Sequence, residues 1–235
     1  DTPAVTRRLM ALLDIHNHPE QTVKVTNAHI SEIKEYLLAL DLIVNVPIET
    51  VEPGTEPVEH ILFTQPGMRY CQAQALVHVL MKDELFLTLS EKEQKTVTDR
   101  ILEEVRGRML EDIVLLETMK AAGKRQRVFK LQFADGEFDM VVYDREQDCC
   151  KIYEVKHSGQ QVSAQYRHLL DEEKCRLTEH RFGQIAERTV LYRGENMQLD
   201  NGVKYWNVEE YLQTWSEEMT LITEKKIGPD LGPVM

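Results

Sequence analysis

Apolar positions along the chain change their period several times, and each change predicts an element. Val5, Leu9, Leu12, Leu13 and Ile15 fall on one helical face, and that run stops at His16-Asn17-His18-Pro19. A second amphipathic stretch starts near Asn27 and carries Ile30, Ile33, Leu37, Leu38 and Leu40. LIVNVP follows, an apolar β-branched run that Pro47 is expected to end, and then ETVEPGTEPVEH, whose Glu, Pro and Gly content predicts a wing or exposed loop. HILFT is the expected returning strand, which completes a winged-helix order over residues 1–65. Residues 66–105 read as a helical connection. Ala73, Leu76, Val77 and Leu80 sit at helical spacing, and Ser90 with Glu93 has the spacing of a capping box. The long helical stretch opened there carries Val97, Ile101, Val105, Met109, Ile113 and Leu116 and stops near Ala122-Gly123. Beyond it the period falls to two. VFKLQF, EFDMVVYD and KIYEVKHS predict a meander of three strands, followed by a helix over about 163–185, the strand TVLYRG, and a short strand and helix over 203–215. The expected fold class is α+β, with a mixed β-sheet flanked by helices over 106–235.

Charge narrows the function classes. With 28 Lys and Arg against 40 Asp and Glu the chain carries −12, which disfavours a protein whose main task is to coat nucleic acid. The imbalance is uneven. Residues 1–60 hold four basic and ten acidic groups, whereas residues 106–190 hold fifteen of each. The recognition-helix stretch Asn27–Leu40 offers only Asn27, His29, Ser31 and Lys34 against Glu32 and Glu35, so the winged helix reads as an interaction or spacer module rather than a DNA reader. Phosphate contact through Arg7 and Arg8 is the fallback. No apolar run is long enough for a membrane span and the first residues lack the apolar centre of a signal peptide. Cys71, Cys149, Cys150 and Cys175 have no metal-ligand spacing and no disulfide framework, so a reducing cytoplasm is expected.

Candidate chemistry concentrates on the meander. Strand alternation puts Glu154 and Lys156 on one face with Tyr153 and Val155 on the other, and puts Glu137 and Asp139 on a shared face. If the second and third strands pair, Asp139, Glu154 and Lys156 meet. Two carboxylates close together repel unless a hard cation such as Mg2+ or Mn2+ joins them, and with an ammonium beside it such an ion can prepare a water for attack on phosphorus. The plainer alternative is a half-exposed hairpin with solvated charges. His16 and His18 have no carboxylate or cysteine cluster near them and read as capping or solvent-facing groups. Tyr205, Trp206, Tyr211 and Trp215 could stack bases, but their spacing reads better as a core edge.

The order helix with Glu111, strand, strand with Asp139, strand with Glu154-x-Lys156, helix, strand resembles the PD-(D/E)XK nuclease superfamily, the restriction-endonuclease-like fold. YLLALDLIVNVPIE, ILFTQPGMRY and GRMLEDIVLLE further resemble the C-terminal region of a bacterial and archaeal family of AAA-type ATPases, in which a winged helix precedes a nuclease-like domain of unknown function. The resemblance implies Asp139 and Glu154 as ligands of Mg2+ or Mn2+, Glu111 as their support from the helix, Lys156 as the group that positions the water, and DNA as substrate. The chain departs from the pattern in two places. Phe138-Asp139 stands where the superfamily has Pro-Asp, and no Gln is followed four residues later by Tyr after the third strand. Nor is there a G-x-x-x-x-G-K-[ST] motif, because Gly123-Lys124 is followed by Arg125. With Asp1 in place of a Met, the expectation is a piece of a longer chain whose ATPase module lies elsewhere. Two functions remain: a metal-dependent nuclease-like enzyme, or a non-catalytic regulatory or partner-binding region of the ATPase that keeps the fold.

Overall fold

The structure, a computed structural model, describes residues 11, 24–51 and 58–215. Apart from Ala11, the helix expected over 4–17 lies outside the described residues, as do Arg7, Arg8, His16, His18, the tip of the expected wing and the C-terminal tail. The protein is α+β, and its chain divides into two compact units, Asp1–Val44 with Phe63–Met109, and Asn45–Leu62 with Leu110–Met235.

In the first unit, helix α1 (Asn27–Ala39) begins at Thr26, whose hydroxyl accepts from the His29 N–H while His29 Nδ1 accepts from the Thr26 N–H, a reciprocal cap that satisfies two donors. Helix α2 is Gly67–Leu80, and the long helix α3 is Glu91–Ala121. The capping box read from Ser90 and Glu93 is realised, since Glu93 Oε2 accepts from the Ser90 N–H at 2.9 Å. Arg106 Nη2 donates to the Tyr70 hydroxyl at 2.6 Å, joining α2 to α3. The two units part within α3, after Met109.

The second unit is built on a mixed sheet of eight strands in the order β2-β1-β3-β4-β5-β6-β8-β7. These are β1 (Ile43–Thr50), β2 (Val58–Phe63), β3 (Gln126–Gln132), β4 (Glu137–Asp144), β5 (Cys149–Val155), β6 (Gln184–Tyr192), β7 (Met197–Gln198) and β8 (Val203–Asn207). The meander β3-β4-β5 is antiparallel as expected, and β5, β6 and β8 run parallel. Pro47 does not end the first strand. Lacking an N–H, it sits just before the three residues that pair in parallel with β3, Ile48↔Lys130 to Thr50↔Gln132. That pairing draws β1 and β2, read from sequence as the strands of a winged helix, into the larger sheet. Glu49 on β1 is buried under Arg127 of β3 and Arg181 of helix α4 (Glu172–Phe182), and its two oxygens receive one guanidinium each.

One sheet face buries Phe129, Leu131, Val141, Ile152 and Val190 against Leu169 and Phe182. The single helix expected over 163–185 is instead two short 3-10 turns, Ser163–Gln165 and His168–Leu170, followed by α4. Asp171 starts α4 by accepting from the Lys174 N–H, and Gly183 ends it at φ 68, so β6 begins five residues earlier than TVLYRG suggested. A Cβ on Gly183 would meet the Asp148 carbonyl oxygen. Gly183→Ala is therefore expected to lower stability by more than ~2 kcal/mol, through both steric contact and left-handed backbone, as read by urea unfolding. On the other face Tyr153 packs on Tyr211, from the helical residues 208–215, and Tyr211 shares a hydrogen bond of 2.9 Å with Thr118 of α3.

Candidate functional site

A break in the β-ladder creates the site. Phe129 pairs with Val141 and Leu131 with Phe138, so Asp139 and Met140 together stand opposite the single residue Lys130, which is a β-bulge. The antiparallel pairs between β4 and β5 reach Met140↔Tyr153, and past them the Asp139 side chain enters the ladder: its Oδ2 accepts from the Val155 N–H at 2.8 Å. Asp139 is thus fixed by backbone, not by rotamer preference alone. Lys156, one residue beyond the end of β5, is anchored through its N–H to the Leu191 carbonyl at 2.8 Å.

The four residues expected to carry chemistry come together. Lys156 Nζ lies 2.6 Å from Glu154 Oε1 and 3.8 Å from Asp139 Oδ2, so the ammonium is turned toward Asp139. Asp139 and Glu154 are buried, with 7% and 6% of their surface exposed. Glu111 projects from α3 and its Oε2 is 3.6 Å from Lys130 Nζ. Lys130 also lies 3.6 Å from Glu137 Oε1 and is itself buried. Sequence reasoning passed over Lys130, although a lysine between Phe129 and Leu131 in an apolar strand is a signal, since a buried ammonium needs acidic company. Asp112, next to Glu111, faces His60 Nε2 at 3.9 Å instead.

Burial and crowding of like charge shape the protonation of this cluster. Burial first and the neighbouring Asp139 second push the Glu111 carboxyl up to about 7, against the pull of Lys130 and Lys156. The same two causes bring Glu154 to about 7, with Lys156 opposing. Burial raises Asp139 as well, while Lys156 and the Val155 N–H hold it down. Burial works to lower Lys130 and Lys156, but the surrounding carboxylates outweigh it and both ammoniums are held above their ordinary value.

Among the described residues no three His, Cys, Asp or Glu side chains converge as a metal cage. The Lys156 ammonium stands between Glu154 and Asp139, where it balances the charge a cation would balance. Even so, Glu154 Oε2 is buried without any hydrogen-bond partner. An orphaned carboxylate oxygen with acidic neighbours has the hard-donor chemistry a divalent ion takes, although the acids do not close around one point.

Among the described residues no helix is long and apolar enough to cross a membrane, and Cys71, Cys149, Cys150 and Cys175 are free thiols. A scan against protein-family models, a search of curated proteins and a search of solved structures each return no match.

Proposed function

We propose that the second unit is a divalent-metal-dependent phosphodiesterase of the PD-(D/E)XK nuclease type, acting on DNA in the cytoplasm as one module of a longer AAA-type ATPase chain. The observation that carries this reading is the unpartnered Glu154 Oε2 in a cluster where Asp139, Glu154 and Lys156 meet beside Glu111. Asp139 and Glu154 would hold Mg2+ or Mn2+, with Glu111 behind them, and the ion would supply a more acidic water and charge neutralisation at phosphorus. Asp139 is held in orientation by the Val155 N–H, and Glu154 offers its unpartnered Oε2 in the same cluster. Lys156 donates hydrogen bonds to the oxygens of the transferring phosphoryl group as negative charge builds there. Water would attack phosphorus and give up its proton to solvent, and the ester P–O bond would break as the leaving alkoxide takes a proton from solvent.

Two measurements test this. Isothermal titration with Mn2+ is expected to give saturable heat for the wild type and none for Asp139→Asn, and equal heats would remove the metal from the reading. Ligand carboxylates must be deprotonated, so with Glu111 and Glu154 held near 7 the Mn2+ affinity is expected to rise between about pH 6 and pH 8. Plasmid nicking in Mg2+ or Mn2+ that is present in the wild type and absent in Asp139→Asn supports the enzyme. Metal binding without nicking of either plasmid or single-stranded DNA favours the regulatory region of an ATPase that keeps this fold.

A further inference from the structure

The face of the sheet that carries Tyr153 holds a cavity of about 570 Å³, a size typical of small-ligand sites. Its floor is Tyr153 and Tyr211, whose ring centroids are 5.8 Å apart. Two indoles form the wall, Trp206 packed edge-on to Tyr211 at 5.3 Å and Trp215 at 6.2 Å. Both tyrosines are buried, whereas both indoles are half-buried and line open space. Tyr205 and Tyr211, each 1% exposed, belong to the core edge, and the two tryptophans that pack on Tyr211 are half-buried, so each combines a packing role with a surface that lines the cavity.

The rim adds a second kind of chemistry. Arg125 and Lys151 reach the cavity beside one carboxylate, Asp144, whose Oδ1 already accepts from the Glu146 and Gln147 N–H groups, and Gln126 and Gln147 bring amides whose NH2 groups can donate. Arg125 pairs with Glu146 at 2.6 Å and Lys151 with Glu187 at 3.6 Å, and all but Glu187 of these side chains are about half exposed or more. Exposed pairs of this kind contribute little, so either cation can turn to an incoming anion at small cost. Lys204 Nζ sits 3.7 Å from the Trp206 ring centroid, which shows that one indole face already attracts a cation and fixes that ring's orientation.

We propose that this cavity binds a nucleobase carrying a phosphate: the base stacks against Trp206 and Trp215, the two glutamines meet its edge, and Arg125 and Lys151 take the phosphate. Aromatic rings, amide donors and two exposed cations beside one carboxylate that is already hydrogen-bonded suit a nucleotide unit better than an aliphatic ligand. This site does not depend on the metal reading of the acidic cluster.

The chain contains two tryptophans, Trp206 and Trp215, and both line this cavity, so indole emission reports on it alone. Adenosine monophosphate and a single-stranded oligo-dT are titrated into the full chain in EDTA, so that no cleavage or metal binding enters the readout. Saturable quenching by the mononucleotide and the oligonucleotide alike assigns the site to free nucleotides. Quenching by the oligonucleotide alone assigns it to a nucleotide within a strand. Arg125→Gln combined with Lys151→Gln changes only exposed side chains and is expected to raise the half-saturating concentration about ten-fold at unchanged circular dichroism. Adenosine quenching as strongly as its monophosphate would remove the phosphate half of the proposal, and no quenching by either probe overturns it altogether.

Discussion

Replacing Lys156 by alanine is expected to lower phosphodiester cleavage by at least ~100-fold, the cost of removing one preorganised donor to a developing oxyanion. The ammonium is held at 2.6 Å from Glu154 and 3.8 Å from Asp139 before any substrate arrives, so its orientation costs nothing at the moment of reaction. Its loss also leaves two buried carboxylates without their nearest cation, and those groups respond by keeping protons. The variant should therefore melt close to wild type at pH 5 and well below it at pH 8. A plasmid-nicking assay beside melts at both pH values separates the outcomes. Lost cleavage with a near-normal melt at pH 5 supports catalysis, silence in every assay supports a solvated charge, and unfolding at pH 5 assigns Lys156 to the structure.

A second large effect is an inverted pH dependence of stability in EDTA. A carboxyl whose folded pKa is raised binds its proton more tightly in the folded state, so the stabilisation is complete below the unfolded value and disappears as pH rises through the folded one. For Glu154 that window runs from its ordinary 4.5 to about 7. The loss across it is about 3 kcal/mol, at 1.36 kcal/mol for each pKa unit. Glu111 titrates over the same window and in the same direction. Melting temperature is expected to fall between pH 5 and pH 8, where most proteins are near their optimum, and Glu154→Gln should flatten much of the fall. Saturating Mn2+ at pH 8 should restore stability in the wild type and not in Asp139→Asn. A melting temperature that rises steadily from pH 5 to pH 8 in EDTA would show that the cluster is solvated.

Much of the second unit was legible because its signals are local. Strand alternation marked β3, β4 and β5, the Ser90 and Glu93 pair marked the start of α3, and E-x-K spacing brought Glu154 and Lys156 to notice. Two features were not legible, for different reasons. The β-bulge at Asp139 and Met140 has no composition of its own, since it arises from how β3 and β4 register, and so the seat of Asp139 on the Val155 N–H could not be read. Strands β1 and β2 carry an ordinary hairpin pattern, and only long-range pairing with β3 decides that they join the larger sheet. Gly183, by contrast, was a visible helix stop that the apolar pattern of 163–185 overrode, and Lys130 was a visible charge in an apolar strand.

The parallel pairing of Ile48 with Lys130 has a consequence for biosynthesis. The partners are roughly eighty residues apart, a separation that raises contact order and slows folding through loop closure. Translation proceeds at about 5–20 residues per second, so β1 leaves the ribosome some seconds before β3 exists. For that interval it is a β-branched segment with an unsatisfied backbone edge, open to pairing with another nascent chain. Glu49 in that strand has neither of its folded-state cations until Arg127 and Arg181 follow, and a charge within an open strand disfavours edge-to-edge pairing.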